Sequence, residues 1–344
     1  VCIILQKFVL DNLGIPFILT VPVMVMLIWF YTRKGGIKTL VWTDTFQTLC
    51  MFSALILIIY YTIKCLDFTP MAAYHAICDS KYSQIFVFDD WISRQNFWKQ
   101  FLSGIFVVIV MTGLDQDMMQ KNLTCKSLRD AQKDMCTYGF AFVPANLLFL
   151  ALGILLILLA QKQQMPFPES PDDLLPMFAA SGYMGNMVVV FFTIGIVAAS
   201  FSSADSAITA ITTSICVDIM DSPKDEKLRK YTHLGVAILF VIFIIIFKQI
   251  NSTSVIDAIY IICSYTYGPL LGIFGFGILT KRRTNDKITP YIAILSPIIC
   301  YAIDWYSSHH LGYKLGYELL MLNGLITFSG LYLFSHKNNA KICA

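Results

Sequence analysis

The residues best suited to chemistry lie inside an apolar run. Residues 195–206 read Gly-Ile-Val-Ala-Ala-Ser-Phe-Ser-Ser-Ala-Asp-Ser, and no other charge falls within twelve positions of Asp205 on either side. At helical spacing, Ser202, Asp205, Ser206, Thr209, Thr212 and Thr213 share one polar stripe, with Ala199 and Ser203 beside it. Small residues leave room there, and hydroxyl and carbonyl oxygens suit a hard cation. A helix–helix interface explains the same residues differently, because small residues and hydroxyls gather at membrane helix contacts. Such hydroxyls also bond their own i−4 carbonyls. An ionisable group in lipid is costly, so Asp205 is a functional candidate by default.

Three further places break the apolar pattern. Residues 112–121 read Thr-Gly-Leu-Asp-Gln-Asp-Met-Met-Gln-Lys, so Asp115, Gln116 and Asp117 follow a long apolar stretch without a clean stop. Gly113 permits a break there, and broken helices near the midplane expose carbonyls and helix ends to solutes in many transporters. An ordinary helix end at the interface is the alternative. Asp44 opens an apolar run, where an acid suits the helix dipole. Tyr265, Thr266 and Tyr267 precede Gly268 and Pro269 in the middle of another run, and the proline kinks it. Asp257 and Asp304 sit at run ends and read as caps. The five histidines are peripheral, and the His309–His310 pair has no metal partners nearby in sequence.

What must position these residues follows from composition. Hydrophobic residues make up 57% of the 344 and charged ones 14%, at a mean hydropathy of +0.66. Soluble domains carry roughly 25% charged residues. This chain cannot cover a soluble surface, so a polytopic membrane protein is expected, and disordered, collagen-like, coiled-coil and nucleic-acid-binding classes are excluded. A spanning helix needs about 20 apolar residues. Nine segments qualify, at about 13–31, 40–61, 97–114, 138–160, 184–215, 232–247, 255–279, 288–305 and 315–334. Their continuity excludes a β-barrel. Gly35 and Gly36 mark the first loop. The second, about 62–96, mixes aromatic and polar residues that suit the membrane interface.

Alternating the loops between two sides places 17 of the 25 Lys and Arg on one side and 8 on the other. Cytoplasmic loops carry that excess. The C-terminus is therefore expected in the cytoplasm. The ten cysteines form no CxxC pair, and Cys65 and Cys78 share a loop in which pairing is open. The sequence opens on Val1, with no basic leader and small-residue cleavage site, so a piece of a longer protein is expected. No phosphate-binding loop, nucleophile elbow, zinc-binding or dinucleotide motif is present, which favours a channel or secondary transporter over a pump or enzyme.

Residues 112–135 and 195–220, joined by residues 35–47 and 264–283 in the same order, strongly resemble the sodium:solute symporter family. The resemblance implies an all-α, LeuT-type inverted-repeat transporter fold in a single transmembrane domain over residues 1–344. Core helices four to ten would fall at about 13–279 and two peripheral helices at about 288–334. The leading helix and core helices one to three would lie outside this sequence. It further implies alternating access with sodium as coupling ion, a small polar solute, a bacterial inner or plasma membrane, no other cofactor and no obligatory protein partner. Carried over by position, Ala199, Ser202 and Ser203 match the family's sodium site on core helix eight. Asp44 matches an aspartate on the sodium path, and Asp205 with Ser206 stand as a second cation site, a structural network or a substrate contact. Gly113, Asp115, Gln116 and Asp117, with Tyr265 and Thr266, are the candidate solute-facing residues. Residues 114–117, Leu-Asp-Gln-Asp, depart from the aromatic gate of sugar carriers. The alternatives are a transporter-like sensor domain with a separate signalling partner, and proton coupling through Asp205.

Overall fold

A computed structural model describes the chain apart from residues 1, 7–9, 12–13, 94, 169–170, 223, 251–254, 314 and 337–344, and gives backbone alone at 33–40, 250 and 255–258. Lys7, Arg94, Lys314, Lys337 and Lys341, and the side chains of Arg33, Lys34, Lys38 and Asp257, therefore lie outside the described residues. The described elements are helices: α1 (Cys2–Leu5), α2 (Phe17–Cys65), α3 (Pro70–Cys78), α4 (Phe97–Val108), α5 (Gln116–Asn122), α6 (Leu128–Lys162), α7 (Leu174–Ala180), α8 (Asn186–Ser214), α9 (Glu226–Ile250), α10 (Val255–Leu279), α11 (Thr289–His310) and α12 (Glu318–Phe334). A π turn, Ile109–Gly113, extends α4, and another, Ile215–Ile219, extends α8. Local caps start several of them. Thr69 caps α3 ahead of Pro70, Asn96 caps α4 and Ser127 caps α6, each side chain accepting a first-turn N–H.

Five stretches are long and apolar enough to span a bilayer: Val41–Cys65, Leu128–Lys162, Asn186–Ile219, Glu226–Gln249 and Ile259–Leu279. Phe97–Gly113 with Gln116–Asn122 makes a sixth, bent by 60°. Phe17–Thr32 and Glu318–Phe334 are shorter apolar helices. The chain is an all-helical, multi-pass membrane protein.

The helices fold as two compact units, Val1–Ser83 with Gln120–Ser254, and Gln84–Met119 with Val255–Ala344. In the first, one core packs Leu55 and Ile58 of α2 on Leu152, Leu155, Leu156 and Leu159 of α6, Phe178 of α7, and Val188 and Phe192 of α8. A second packs Val21, Val25 and Ile28 of α2 on Ala204 and Ile208 of α8 and Val236 and Ala237 of α9.

The loop expected around Gly35 and Gly36 is helical instead, within the 49 residues of α2. Each glycine costs about 1 kcal/mol in a helix, and the packing of both flanking halves outweighs that. The halves nevertheless do not share one line. Thr62 meets Met184, Met51 lies on Gly195 and Asp44 on Ser202, all in one antiparallel register. Tyr31 then reaches Asp205. A straight helix would carry Tyr31 about 20 Å beyond Asp44, whereas Asp205 is only about 5 Å beyond Ser202. The two side chains do not bridge that difference, so the axis of α2 turns between its apolar halves.

The second unit is built on close contact of α10 with α12. A Cβ on Gly268 would lie 2.3 Å from Asn323 Cγ, and one on Gly272 would lie 2.5 Å from Thr327 Cβ. Pro269 removes the N–H that would bond the Tyr265 carbonyl. Asn323 Nδ2 replaces it, donating to the Tyr265 and Ser264 carbonyls at 3.0 Å each. Ser296 of α11 in turn donates to Asn323 Oδ1 at 2.8 Å and lies 2.7 Å from Thr327 Oγ1.

Candidate functional site

The polar stripe of α8 divides according to its partners. Thr212 donates to the Ile208 carbonyl at 2.7 Å, Thr213 to Thr209 at 2.9 Å and Ser200 to Ile196 at 3.0 Å. Those hydroxyls serve their own helix. Ser202 does not. Its hydroxyl donates across to Asp44 Oδ1 of α2. The other Asp44 oxygen lies 3.1 Å from Lys121 Nζ of α5, in a pair about a quarter exposed on each side. Asp44 is thus the centre of a three-element bridge rather than a helix-start acid acting on the dipole alone.

One turn along, Asp205 is fully buried, and Tyr31 donates to its Oδ2. Its Oδ1 has no partner, nor does the hydroxyl of Ser206, which is 2% exposed. A buried carboxylate oxygen left unpaired costs more than the average hydrogen bond returns. Two such oxygens on adjacent residues of one helix, near a third on Ser202, make a donor set that fits a small hard cation. Ser202 gives its proton to Asp44, so its oxygen lone pairs remain free to accept. Ser203 is exposed, and Ala199 is half-buried against Met51, Ala54 and Leu55 in an apolar cavity of about 170 Å³. No group of three or more His, Cys, Asp or Glu that could hold a transition metal occurs among the described residues.

In the second unit, the break after α4 falls at Leu114–Asp115, as the sequence suggested, though Gly113 is not its cause. Gly113 ends the π turn at an ordinary φ, and a Cβ there would meet nothing within 4 Å. Asp115 supplies the restart by accepting the Asp117 N–H at 2.9 Å. Its other oxygen accepts from Tyr267 of α10 at 2.9 Å. Asp115 is thereby engaged twice by the protein. Gln116 is exposed and Asp117 half-buried. Thr266 is exposed and spends its hydroxyl on the Ile262 carbonyl at 2.9 Å. Tyr265 lines a cavity of about 440 Å³ with Tyr301 and Asp304. Cys65 and Cys78 are both free thiols, Cys65 ending α2 and Cys78 ending α3.

Sequence reasoning missed Tyr31, Lys121 and Asn323, and it named Tyr267 only as part of the kinked stretch before Pro269, not as the partner of Asp115. Tyr31 and Thr32 do close an apolar run on polar atoms, a local signal that names no partner.

Comparison with known proteins accords with this arrangement. The model of the sodium:solute symporter family matches residues 6–287. The human sodium-coupled monocarboxylate transporter 2 is 25% identical over 281 residues, covering 73% of this chain and 42% of that protein. The sodium/sialic acid symporter SiaT of Proteus mirabilis is 23% identical, covering 83% of this chain and 60% of its own length. This chain therefore spans less than two thirds of the relatives it matches. A solved Na+-coupled sialic acid symporter, substrate-bound, outward-open and described with a novel Na+ site, superposes with a TM-score of 0.78 at 18% identity, covering 98% of this chain and 71% of that one. The relatives are transporters, not enzymes, and the chain belongs to the sodium:solute symporter family.

Proposed function

We propose that this chain works in sodium-coupled uptake of a small polar solute by alternating access. One observation carries the reading: Ser202 bridges to Asp44 beside two buried oxygens, Asp205 Oδ1 and Ser206 Oγ, that lack any partner. In this reading the Ala199 carbonyl and the Ser202 and Ser203 hydroxyls hold one sodium ion. Asp44, Asp205 and Ser206 form the ion's path or a second site. Each charge entering down a 100 mV potential releases about 2.3 kcal/mol. Cation binding on α8 biases the protein toward the solute-binding state, and release follows when the fold rocks inward. The basic side of the loops faces the cytoplasm, and so does the C-terminus, in a plasma or bacterial inner membrane.

The solute is taken to be a small organic acid. The names of the monocarboxylate and sialic acid relatives support this.

The test is radioactive sodium entry into vesicles holding the full-length protein, with and without a pooled library of organic acids. Solute-stimulated entry that Ser202→Ala with Ser203→Ala abolishes is the expected result. Entry untouched by that pair would reduce the hydroxyls to helix packing. Solute uptake indifferent to sodium and driven by pH alone would transfer the coupling to a proton on Asp205.

A further inference from the structure

In the second unit, α10 and α12 begin and α11 ends at one side, beside the start of α4. A cavity of about 440 Å³ lies there, of a size that holds small organic ligands. Gln95 and Gln100 around the start of α4, Tyr265 of α10, Tyr301 and Asp304 of α11, and Tyr317 before α12 line it. All six belong to the second unit, so the cavity owes nothing to the cation site on α8.

Asp304 carries the one formal charge among the described lining residues. Its Oδ1 accepts the Leu315 N–H at 3.0 Å, and Leu315 lines the same cavity. That bond fixes the carboxylate in the wall. Asp304 is half-buried, and its Oδ2 accepts no hydrogen bond from the described residues. Its charge also bears on the hydroxyl of Tyr265, its neighbour in the lining. The Tyr265 and Tyr301 rings stand 6.4 Å apart at 55°, and Tyr301 is 62% exposed. Tyr260 packs on Tyr317 at 4.7 Å and holds that ring in place.

This lining selects by charge and by size. Ring faces are negative and attract a cation within about 6 Å of their centres. A metal ion needs a shell of about six or more oxygens, and one open carboxylate oxygen among tyrosine rings does not make one. An organic acid, the solute proposed above, would meet Asp304 with no positive side chain among the described lining residues to offset it. An alkylated ammonium ion has little hydration to lose, and gains both the ring faces and the counter-charge.

We propose that this cavity binds an organic ammonium ion. The charged head sits on the Asp304 carboxylate and against the Tyr265 and Tyr301 rings, and the amides of Gln95 and Gln100 meet its polar tail. Nothing in the proposal depends on the sodium site, so either can fail alone.

The experiment is a thermal melt of the purified full-length protein in dodecyl maltoside, with choline as the probe. Choline chloride replaces potassium chloride at constant total salt and constant sodium. A parallel titration uses dimethylbutanol, the uncharged alcohol in which carbon replaces the choline nitrogen. Choline is expected to raise the melting temperature at about one tenth of the alcohol concentration or less. Asp304→Asn keeps the side-chain volume and an oxygen for the Leu315 N–H, so it folds, and should need about tenfold more choline. Tyr301→Leu should need about threefold more, as for loss of one ring face. Asp286→Asn, at an exposed acid outside the cavity, should match wild type. Equal responses to choline and to the alcohol would show that charge is not read and would overturn the proposal. So would a choline response that Asp304→Asn leaves intact, which places the ligand elsewhere, or no response in wild type.

Discussion

Helices α8 and α10 each carry a polar stretch through apolar sequence, and the two stretches end in opposite states. On α10, Pro269 frees a carbonyl, and Asn323 takes it up while also holding Ser296. Each polar atom of that cluster has a partner, and glycines at 268 and 272 let α12 close against it. On α8, Asp205 Oδ1 and Ser206 Oγ are buried with none. Similar residue types therefore serve two purposes. A fully bonded polar cluster in an apolar surround fixes one packing arrangement. An incompletely bonded one is held at a cost, and under the proposed function that cost is recovered when sodium binds. Satisfaction of the buried atoms separates the scaffold from the site where residue type does not.

The comparison breaks most visibly on the scaffold side. Gly268→Ala would put a Cβ into Asn323 from 2.3 Å, and helix backbones cannot part that far without losing the whole contact. Overpacking of this kind costs about 1–3 kcal/mol or more, and here it also strips Asn323 from the Ser264 and Tyr265 carbonyls. The variant should yield little monodisperse protein by size-exclusion chromatography. Normal yield and melting would show that α10 and α12 are not fastened by this cluster.

Asp205→Asn sharpens the comparison from the other side. The change keeps the volume, keeps an acceptor for Tyr31 and removes a buried charge whose desolvation is expensive. Melting temperature should hold or rise, while sodium entry falls about tenfold or more, the loss expected for a charge-assisted contact. A drop in stability with transport intact would place Asp205 with Asn323, as scaffold.

Local patterns are legible in the sequence, and long-range partners are not. The run at 255–279 coincides with α10, because apolar length alone fixes such a helix. The α8 stripe and the break near Asp115 are also visible, since both follow from neighbours in sequence. Asp44 reads as a helix-start acid because its partner Ser202 is 158 positions away, and Tyr31 lies 174 from Asp205. Asn323 looks like an ordinary polar residue in an apolar run until the kink at Pro269 gives it work. The bridge through residues 32–39 is helical because packing on both sides overrides two glycines that, taken alone, signal a loop.

The smallest effect belongs to the hydroxyls that serve their own helix. Thr212 and Thr213 sit on the same stripe as Ser202, yet each donates to the carbonyl four residues back. Valine matches threonine in shape. It removes that bond without stranding the carbonyl, which keeps its ordinary helical N–H partner. Thr213→Val should change melting by no more than about 0.5 kcal/mol and leave the sodium dependence of uptake where it was. A shifted sodium dependence would extend the cation site beyond Ser206, and the division between bonded scaffold and unbonded site would then fail within α8 itself.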